Sequence, residues 1–266
     1  MKSRCISIVK PEPNTINEDA VLARAGCIAV ADGAGGGGMF AERWSSYLLD
    51  HLPAEPVTSF EQLDRWIDGI WEPFYNDCEK MARAMGGMVL SKFYDEGSFS
   101  TLAAMWHGEG YVHWTTYGDS VAFCYDRRTG SLQYSISGLT QFNEPPYLIS
   151  CKDPLQDKGF AHGSFTHAAG HVYFVATDAL AHYIIMMYMV SRKEQFQSQL
   201  NEAMEAHGKN ATFIKSAMAM PHVSFTKVLA KLLNCVGHKT NFGNHLAGLR
   251  RRRLIAIDDY SMATMS

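Results

Sequence analysis

The chain has 266 residues, 47% of them hydrophobic, which is enough for one large core. Its net charge of −3 at pH 7 excludes bulk attraction to nucleic acid or to anionic membranes. No Pro/Ser-rich or charged linker divides it, so residues 1–266 are expected to form a single domain. Its 6 cysteines form no C-x-x-C pair and several sit in apolar runs, as expected of buried free thiols in a reducing compartment. The segment after Lys2 and Arg4 is too short for a signal-peptide core. The longest apolar run, Ala179 to Val190, falls well short of the roughly 20 residues of a membrane span. It reads as a buried core helix, and the protein as soluble and cytoplasmic.

In chain order, short strands are predicted at Cys5–Val9, Ala20–Arg24 and Cys27–Ala31, with Gly26 as a hairpin signal. The Gly33–Gly38 run breaks the pattern. A helix follows over Phe40–His51, ended by Pro53 and Pro56. A longer helix spans Ser59–Ala84, opened by a Ser59/Gln62 capping box and kinked at Pro73. Strands at Ser100–Trp106, Tyr111–Tyr117, Ser120–Tyr125 and Ser131–Ile136 read as an antiparallel meander. Ser137–Gly170 reads as irregular loop. His171–Thr177 is a strand, two or three helices lie between Ala179 and Val236, and Leu254–Ile257 and Ser261–Met265 return to strand. Strands in the middle and at each end, with helices in two blocks, predict helices on the outer faces of antiparallel sheets.

Four aspartates carry the chemistry. Asp19, Asp32, Asp178 and Asp258 stand at the ends of strand-like runs, each with a turn residue beside it. A carboxylate at the end of a buried strand is costly unless something positive meets it. Four converging carboxylates cannot all stay ionised without cations. Hard divalent metals, Mg²⁺ or Mn²⁺, take oxygen ligands of this kind. The pattern points to a metal-dependent hydrolase acting on phosphate esters.

The motifs Asn17–Asp19, Asp32–Gly36, Gly97–Thr101, Gly118–Ser120, Thr177–Leu180 and Asp258–Ser261 follow one another in an order that resembles the type 2C metal-dependent protein phosphatases, the PPM family, over nearly the whole chain. The resemblance implies a bacterial-like, single-domain α+β member: a four-layer α-β-β-α sandwich of two antiparallel sheets flanked by helices. It implies a phosphoserine/phosphothreonine protein phosphatase with Asp32 and Asp178 as catalytic residues. Asp32 would bridge two Mg²⁺ or Mn²⁺ ions, and Gly33 would offer a backbone carbonyl. Glu18 and Asp19 would be the acidic pair after the first strand, with Glu18 bound directly or through water. Asp178 and Asp258 would close the second metal site, with Asp119 on a weaker third ion. Asp259 is the competing candidate for the role of Asp258. A metal-bridged water would attack phosphorus in line, so no protein nucleophile is required.

Three positions depart from the family pattern. Asn14 stands where many members carry a phosphate-gripping Arg. Ala34 stands where eukaryotic members often place a His, and Asp178 is followed by Ala179 rather than Gly. Losing a charge-assisted bidentate contact removes roughly 1.5–3 kcal/mol of phosphate binding. Lys10 and Arg250–Arg253 are the nearest replacement cations in sequence. These departures keep open a second reading, a phosphatase-like binding or regulatory domain with weak or no turnover.

Blander readings stand beside these. Asp followed by Gly is often a turn residue alone. Gly33–Gly38 matches a dinucleotide fingerprint, but Asp32 would repel a pyrophosphate and no second acid-ended strand follows the helix. The five tryptophans at helical or alternating spacing read as core.

Overall fold

The computed structural model describes residues 1–36, 38–205, 208 and 210–266. Gly37 of the glycine run, and Ala206, His207 and Lys209 inside the stretch expected to be helical, lie outside the described residues. One five-stranded sheet is built from β1 (Ser3–Ile8), β7 (Val121–Asp126), β8 (Ser131–Tyr134), β11 (His171–Ala176) and β12 (Tyr260–Met265), in the order β1-β12-β11-β7-β8. The second is built from β2 (Ala20–Arg24), β3 (Cys27–Ala31), β5 (Leu102–His107), β6 (Tyr111–Tyr117) and β10 (Phe160–Thr166), in the order β10-β6-β5-β3-β2. A short pair, β4 (Phe99–Ser100) with β9 (Ile149–Ser150), sits apart. Every strand pair among the described residues is antiparallel.

The period-2 alternation of strand side chains divides the interior into three layers of packing. Ile28, Val30, Ala103, Met105, Ala122, Cys124, Tyr173, Val175, Ala263 and Met265 fill the space between the sheets. Their alternating neighbours on β3 and β5 (Cys27, Ala29, Ala31, Leu102, Ala104, Trp106) face the helices α1 (Ala41–Asp50), α2 (Phe60–Met85) and α3 (Gly87–Glu96). Val121, Phe123, Phe174, Ala176, Tyr260 and Met262 face α4 (Asp178–Ser191), α5 (Lys193–Glu205), α6 (Ala211–Met218), α7 (Phe225–Cys235) and α8 (Lys239–Arg251). The result is the expected four layers, helix, sheet, sheet, helix.

Several local expectations hold. Ala179–Val190 is buried at every position inside α4, and no described helix is long and apolar enough to cross a membrane. All six cysteines are free. Gly26 turns the β2–β3 hairpin at φ 73°. Ser59 caps α2 by accepting the Gln62 N–H, but Gln62 returns to the Thr58 N–H instead of closing the box on Ser59. Pro73 lies inside α2, which continues past it.

Four expectations need correction. The stretch from Ser100 to Ile136 is not one meander: β6 is already paired on both edges, with β5 and β10, so the chain leaves it at Gly118 and enters the facing sheet as β7. The expected loop over Ser137–Gly170 contains β10, an edge strand. Helices α3 and α8 were not expected from the sequence, and where two or three helices were expected up to Val236 the described residues form four, α4 to α7. Leu254–Ile257 is no strand; Leu254 and Ile255 instead plug the helical core.

Candidate metal centre

Antiparallel register gathers the acidic residues at one end of the sandwich. Ala20 at the start of β2 pairs with Ala31 at the end of β3, and Leu102 at the start of β5 pairs with Tyr117 at the end of β6. In the other sheet Val121 opens β7 opposite Ala176, which ends β11 and pairs with Met262 near the start of β12. Glu18 and Asp19 before β2, Asp32 after β3, Asp119 between β6 and β7, Asp178 after β11 and Asp258 before β12 therefore emerge at the same end.

Backbone contacts hold each in place. The Asp32 carbonyl accepts the Thr101 N–H at 2.8 Å and the Ser100 hydroxyl at 2.9 Å, while the Thr101 and Ser120 hydroxyls meet at 2.7 Å across the crossover. The Gly-Ser-x-x-Thr segment is thus a clamp on the Asp32 main chain. The Gly33 N–H donates to the Glu18 carbonyl at 3.2 Å, and a Cβ at Gly33 would lie 2.5 Å from that oxygen and 2.7 Å from the Ala41 carbonyl. Gly33 is required by this packing alone. The Glu18 carbonyl also accepts the Ser45 hydroxyl at 2.6 Å. Gly118 takes φ 89°, and a Cβ there would press on the Tyr147 carbonyl at 2.6 Å, so glycine makes the turn that presents Asp119.

Asp178 is the first residue of α4, where its carboxylate meets the positive end of the helix and accepts the Ala179 N–H. Thr177 before it makes no side-chain cap, because its hydroxyl donates to Asp19 Oδ2 (3.1 Å) and accepts the Ser261 N–H (3.1 Å). The Ser261 hydroxyl meets Ser7, which in turn accepts from Asn17. One polar chain therefore links three of the sequence motifs.

The two adjacent aspartates separate cleanly. Asp259 is 3% exposed, and its two oxygens accept the N–H groups of Lys10 and Glu18, each at 2.7 Å. That carboxylate is committed to the backbone. Asp258 accepts the Asp259 N–H at 2.9 Å, and its charge raises the pKa of Asp32, Asp119 and Asp178.

Electrostatics define the centre. Asp32, Asp119, Asp178 and Asp258 are half-buried and Asp19 is 7% exposed. Loss of hydration is the largest cause raising each pKa. Asp32 is held well above the usual carboxylate range by burial and then by Asp19, Asp178, Asp119 and Asp258. Asp178 is raised in the same way, first by burial, then by Asp119 and Asp258. Asp19 is pushed up to about 7 and Asp119 to about 6. Glu18 stands to one side: burial raises it, and Lys10 at 3.5 Å partly offsets this. Of the basic residues near in sequence, Lys10 pairs with Glu18, and its charge lowers the Asp258 pKa. Arg250 lies over the Tyr260 ring at 5.7 Å, and Arg252 donates to Gly248 on its own helix. Asn14 is exposed in a turn at φ 59°.

The donor atoms gathered here are of the kind a hard divalent cation takes. They are carboxylate oxygens, and Asp19 Oδ1 is buried without a hydrogen-bond partner. Among the described residues, no group of three or more His, Cys, Asp or Glu side chains is placed so that it could hold a metal ion. Charge coupling acts over about 8–10 Å, far beyond a ligand bond of roughly 2.0–2.6 Å, so the aspartates repel one another without already enclosing an ion.

Solved structures share this architecture. The catalytic domain of the serine/threonine protein phosphatase PstP in complex with two manganese ions superposes with a TM-score of 0.53 at 15% identity, covering 99% of this chain and 96% of that one. The chain has the type 2C phosphatase fold. The Mycobacterium tuberculosis phosphatase PstP/Ppp gives 0.53 at 16% identity, with 99% and 97% covered. PppA, a regulatory component of T6SS in Pseudomonas aeruginosa, gives 0.51 at 17% identity, with 99% and 96% covered. No protein-family model matches the sequence, and no curated protein matches it. The type 2C fold also removes the dinucleotide reading, since the segment after the Gly run enters an antiparallel sandwich and not a parallel β-α-β unit.

Sequence reasoning missed Asp259 as a backbone clasp, Ser45 on the Glu18 carbonyl and the Ser100/Thr101 grip on Asp32. Asp259 carried a signal in the doubled acid before β12, and Ser100 and Thr101 in the Gly97–Thr101 motif; Ser45 carried none.

Proposed function

We propose that the chain is a Mg²⁺- or Mn²⁺-dependent phosphatase that releases phosphate from phosphoserine and phosphothreonine in proteins, acting in the cytoplasm as one domain over residues 1–266. The observation that carries this reading is Asp32, set among Asp19, Asp119, Asp178 and Asp258, each of which raises its pKa further beyond the effect of burial. Asp19 Oδ1, buried and unpartnered, supports it, as does the likeness in fold to a phosphatase holding two manganese ions.

In this reading Glu18, Asp19, Asp32, Asp119, Asp178 and Asp258, with the Gly33 carbonyl, hold two ions and a weaker third. Bound divalent ions would acidify a water and offset charge on the phosphoryl oxygens. The chain's own part is positional. Ser100 and Thr101 fix the Asp32 backbone, Thr177 orients Asp19, and the α4 N-terminus supports the Asp178 charge.

With Mn²⁺, the protein should release phosphate from an aryl phosphate, chelator should stop it, and Asp32→Ala should lower kcat by about 1000-fold or more. Turnover indifferent to chelator sinks this reading. A second reading, a phosphatase-like regulatory domain, draws on the absence, among the described residues, of a side-chain group placed to hold a metal ion and on exposed Asn14. Two bound Mn²⁺ ions by calorimetry without turnover on any phosphopeptide would select it.

A further inference from the structure

Resting on the phosphatase reading, we propose that Lys10 is the side chain that grips the phosphoryl group of the substrate, placed there by the Asp259 clasp. A phosphomonoester dianion entering a site lined by acids is held more tightly where the chain adds a cation of its own to any bound ions. Three observations put Lys10 in that position. Asp259 closes the loop from Lys10 to Glu18 against the start of β12, taking one backbone N–H from each end. Lys10 Nζ lies 3.5 Å from Glu18 Oε2, and a Cβ at Gly35 would lie 1.7 Å from Glu18 Oε1, so the pair sits over the loop that leaves Asp32. The Lys10 ammonium also feels the Asp258 and Asp259 charges, which ties it to the acidic centre.

The ammonium has donors to spare. It carries three N–H groups, the Glu18 contact is its one side-chain partner among the described residues, and its side chain is 23% exposed. A point charge on a flexible stem can leave a long 3.5 Å contact for a phosphoryl oxygen without rebuilding the loop. The loop itself stays fixed, because the clasp acts on the main chain.

The test is titration of Mn²⁺-loaded protein with inorganic phosphate by calorimetry, alongside aryl-phosphate kinetics, for the native chain, Lys10→Met and Lys10→Arg. Lys10→Met should weaken phosphate binding and raise KM by roughly tenfold or more, and Lys10→Arg should recover most of it. Mn²⁺ affinity should hold or tighten in Lys10→Met, since Glu18 loses a competing cation. Unchanged phosphate binding in Lys10→Met overturns the proposal, as does weakening that merely tracks lost Mn²⁺ affinity. The two readings fail separately. Turnover with Lys10-independent phosphate binding removes only the Lys10 assignment. Lys10-dependent phosphate binding without turnover removes only the phosphatase activity. Native protein that binds no phosphate removes the Lys10 assignment, and where it also shows no turnover it removes both.

Discussion

Strand β7 has an aspartate near each end, and the two live in opposite worlds. Asp126, its last residue, accepts the Arg128 N–H and the Thr129 hydroxyl, each at 2.8 Å, with the Arg128 guanidinium at 3.8 Å. The Thr129 and then the Arg128 hydrogen bonds hold its pKa below the usual range. Asp119, just before the strand, is pushed up to about 6 by burial and by Asp258. One carboxylate is finished by its own turn; the other is left for something outside the chain. The same residue type at two ends of one strand thus separates turn chemistry from a site. What decides is whether the neighbours within three residues satisfy the charge.

The largest break in that comparison should come from pH. In the unfolded chain these carboxyls bind protons only below about pH 4, whereas folded Asp19 and Asp119 hold them to about 7 and about 6. Between those limits the folded state binds more protons, so stability of chelated protein falls as pH rises. Thermal melts from pH 5 to pH 8 should show Tm dropping on the order of 5–10 °C, with Mn²⁺ restoring it most at the upper end. Asp126 acts with the opposite sign. Its depressed pKa contributes stability that is present above about pH 4 and lost as pH falls further. Asp32→Asn should flatten the upper slope, because the acid repelled by four others is gone. A Tm that rises with pH in chelated native protein would contradict the charge cluster.

A middle-sized effect sharpens the contrast between two neighbours in sequence. Asp259→Asn keeps one acceptor oxygen where two N–H groups need one each, leaving a buried donor unpaired at a cost of about 1–3 kcal/mol. Asp258→Asn should spare stability in chelated protein and weaken Mn²⁺ binding instead. Denaturant melts and calorimetry on both variants separate these outcomes. Equal loss of stability in the two would remove the division of labour between clasp and ligand.

The same local-versus-distant logic explains how much was readable in advance. The sandwich was legible because β3, β5 and β11 alternate between two apolar faces, which only a strand buried on both sides does. The acidic ends were legible because an Asp closes two of these runs, Asp32 after β3 and Asp178 after β11. Helix α3 was hidden by Gly86 and Gly97 at its borders and by the lack of a side-chain cap. In α8, Gly243 and Gly248 lower the helical signal and His238 gives no cap. Edge strand β10 carries a half-polar face and Gly163, where a Cβ would lie 2.6 Å from the Trp114 ring, a requirement of its partner strand that sequence does not display. The β6-to-β7 crossing needed the knowledge that β10 would occupy the open edge of β6. Asp259 was undecidable from spacing, because both adjacent carboxyls can reach the same end of the sandwich and only main-chain direction chooses between them.

The smallest expected effect returns to Asp126. Its partners are two and three residues away, on a turn that Gly130 completes at φ 71°. Removing its carboxyl leaves the Arg128 N–H and the Thr129 hydroxyl able to turn to water, so no buried donor is orphaned. Asp126→Ala should therefore lower Tm by only about 1–3 °C and leave Mn²⁺ binding and kcat unchanged. Asp119→Ala, at the other end of the same strand, should do the reverse: raise the Tm of chelated protein at pH 8 and weaken metal binding. If both variants behaved alike in melts and metal titrations, position on the strand would carry no information, and the two carboxylates would have to be read as ordinary turn residues.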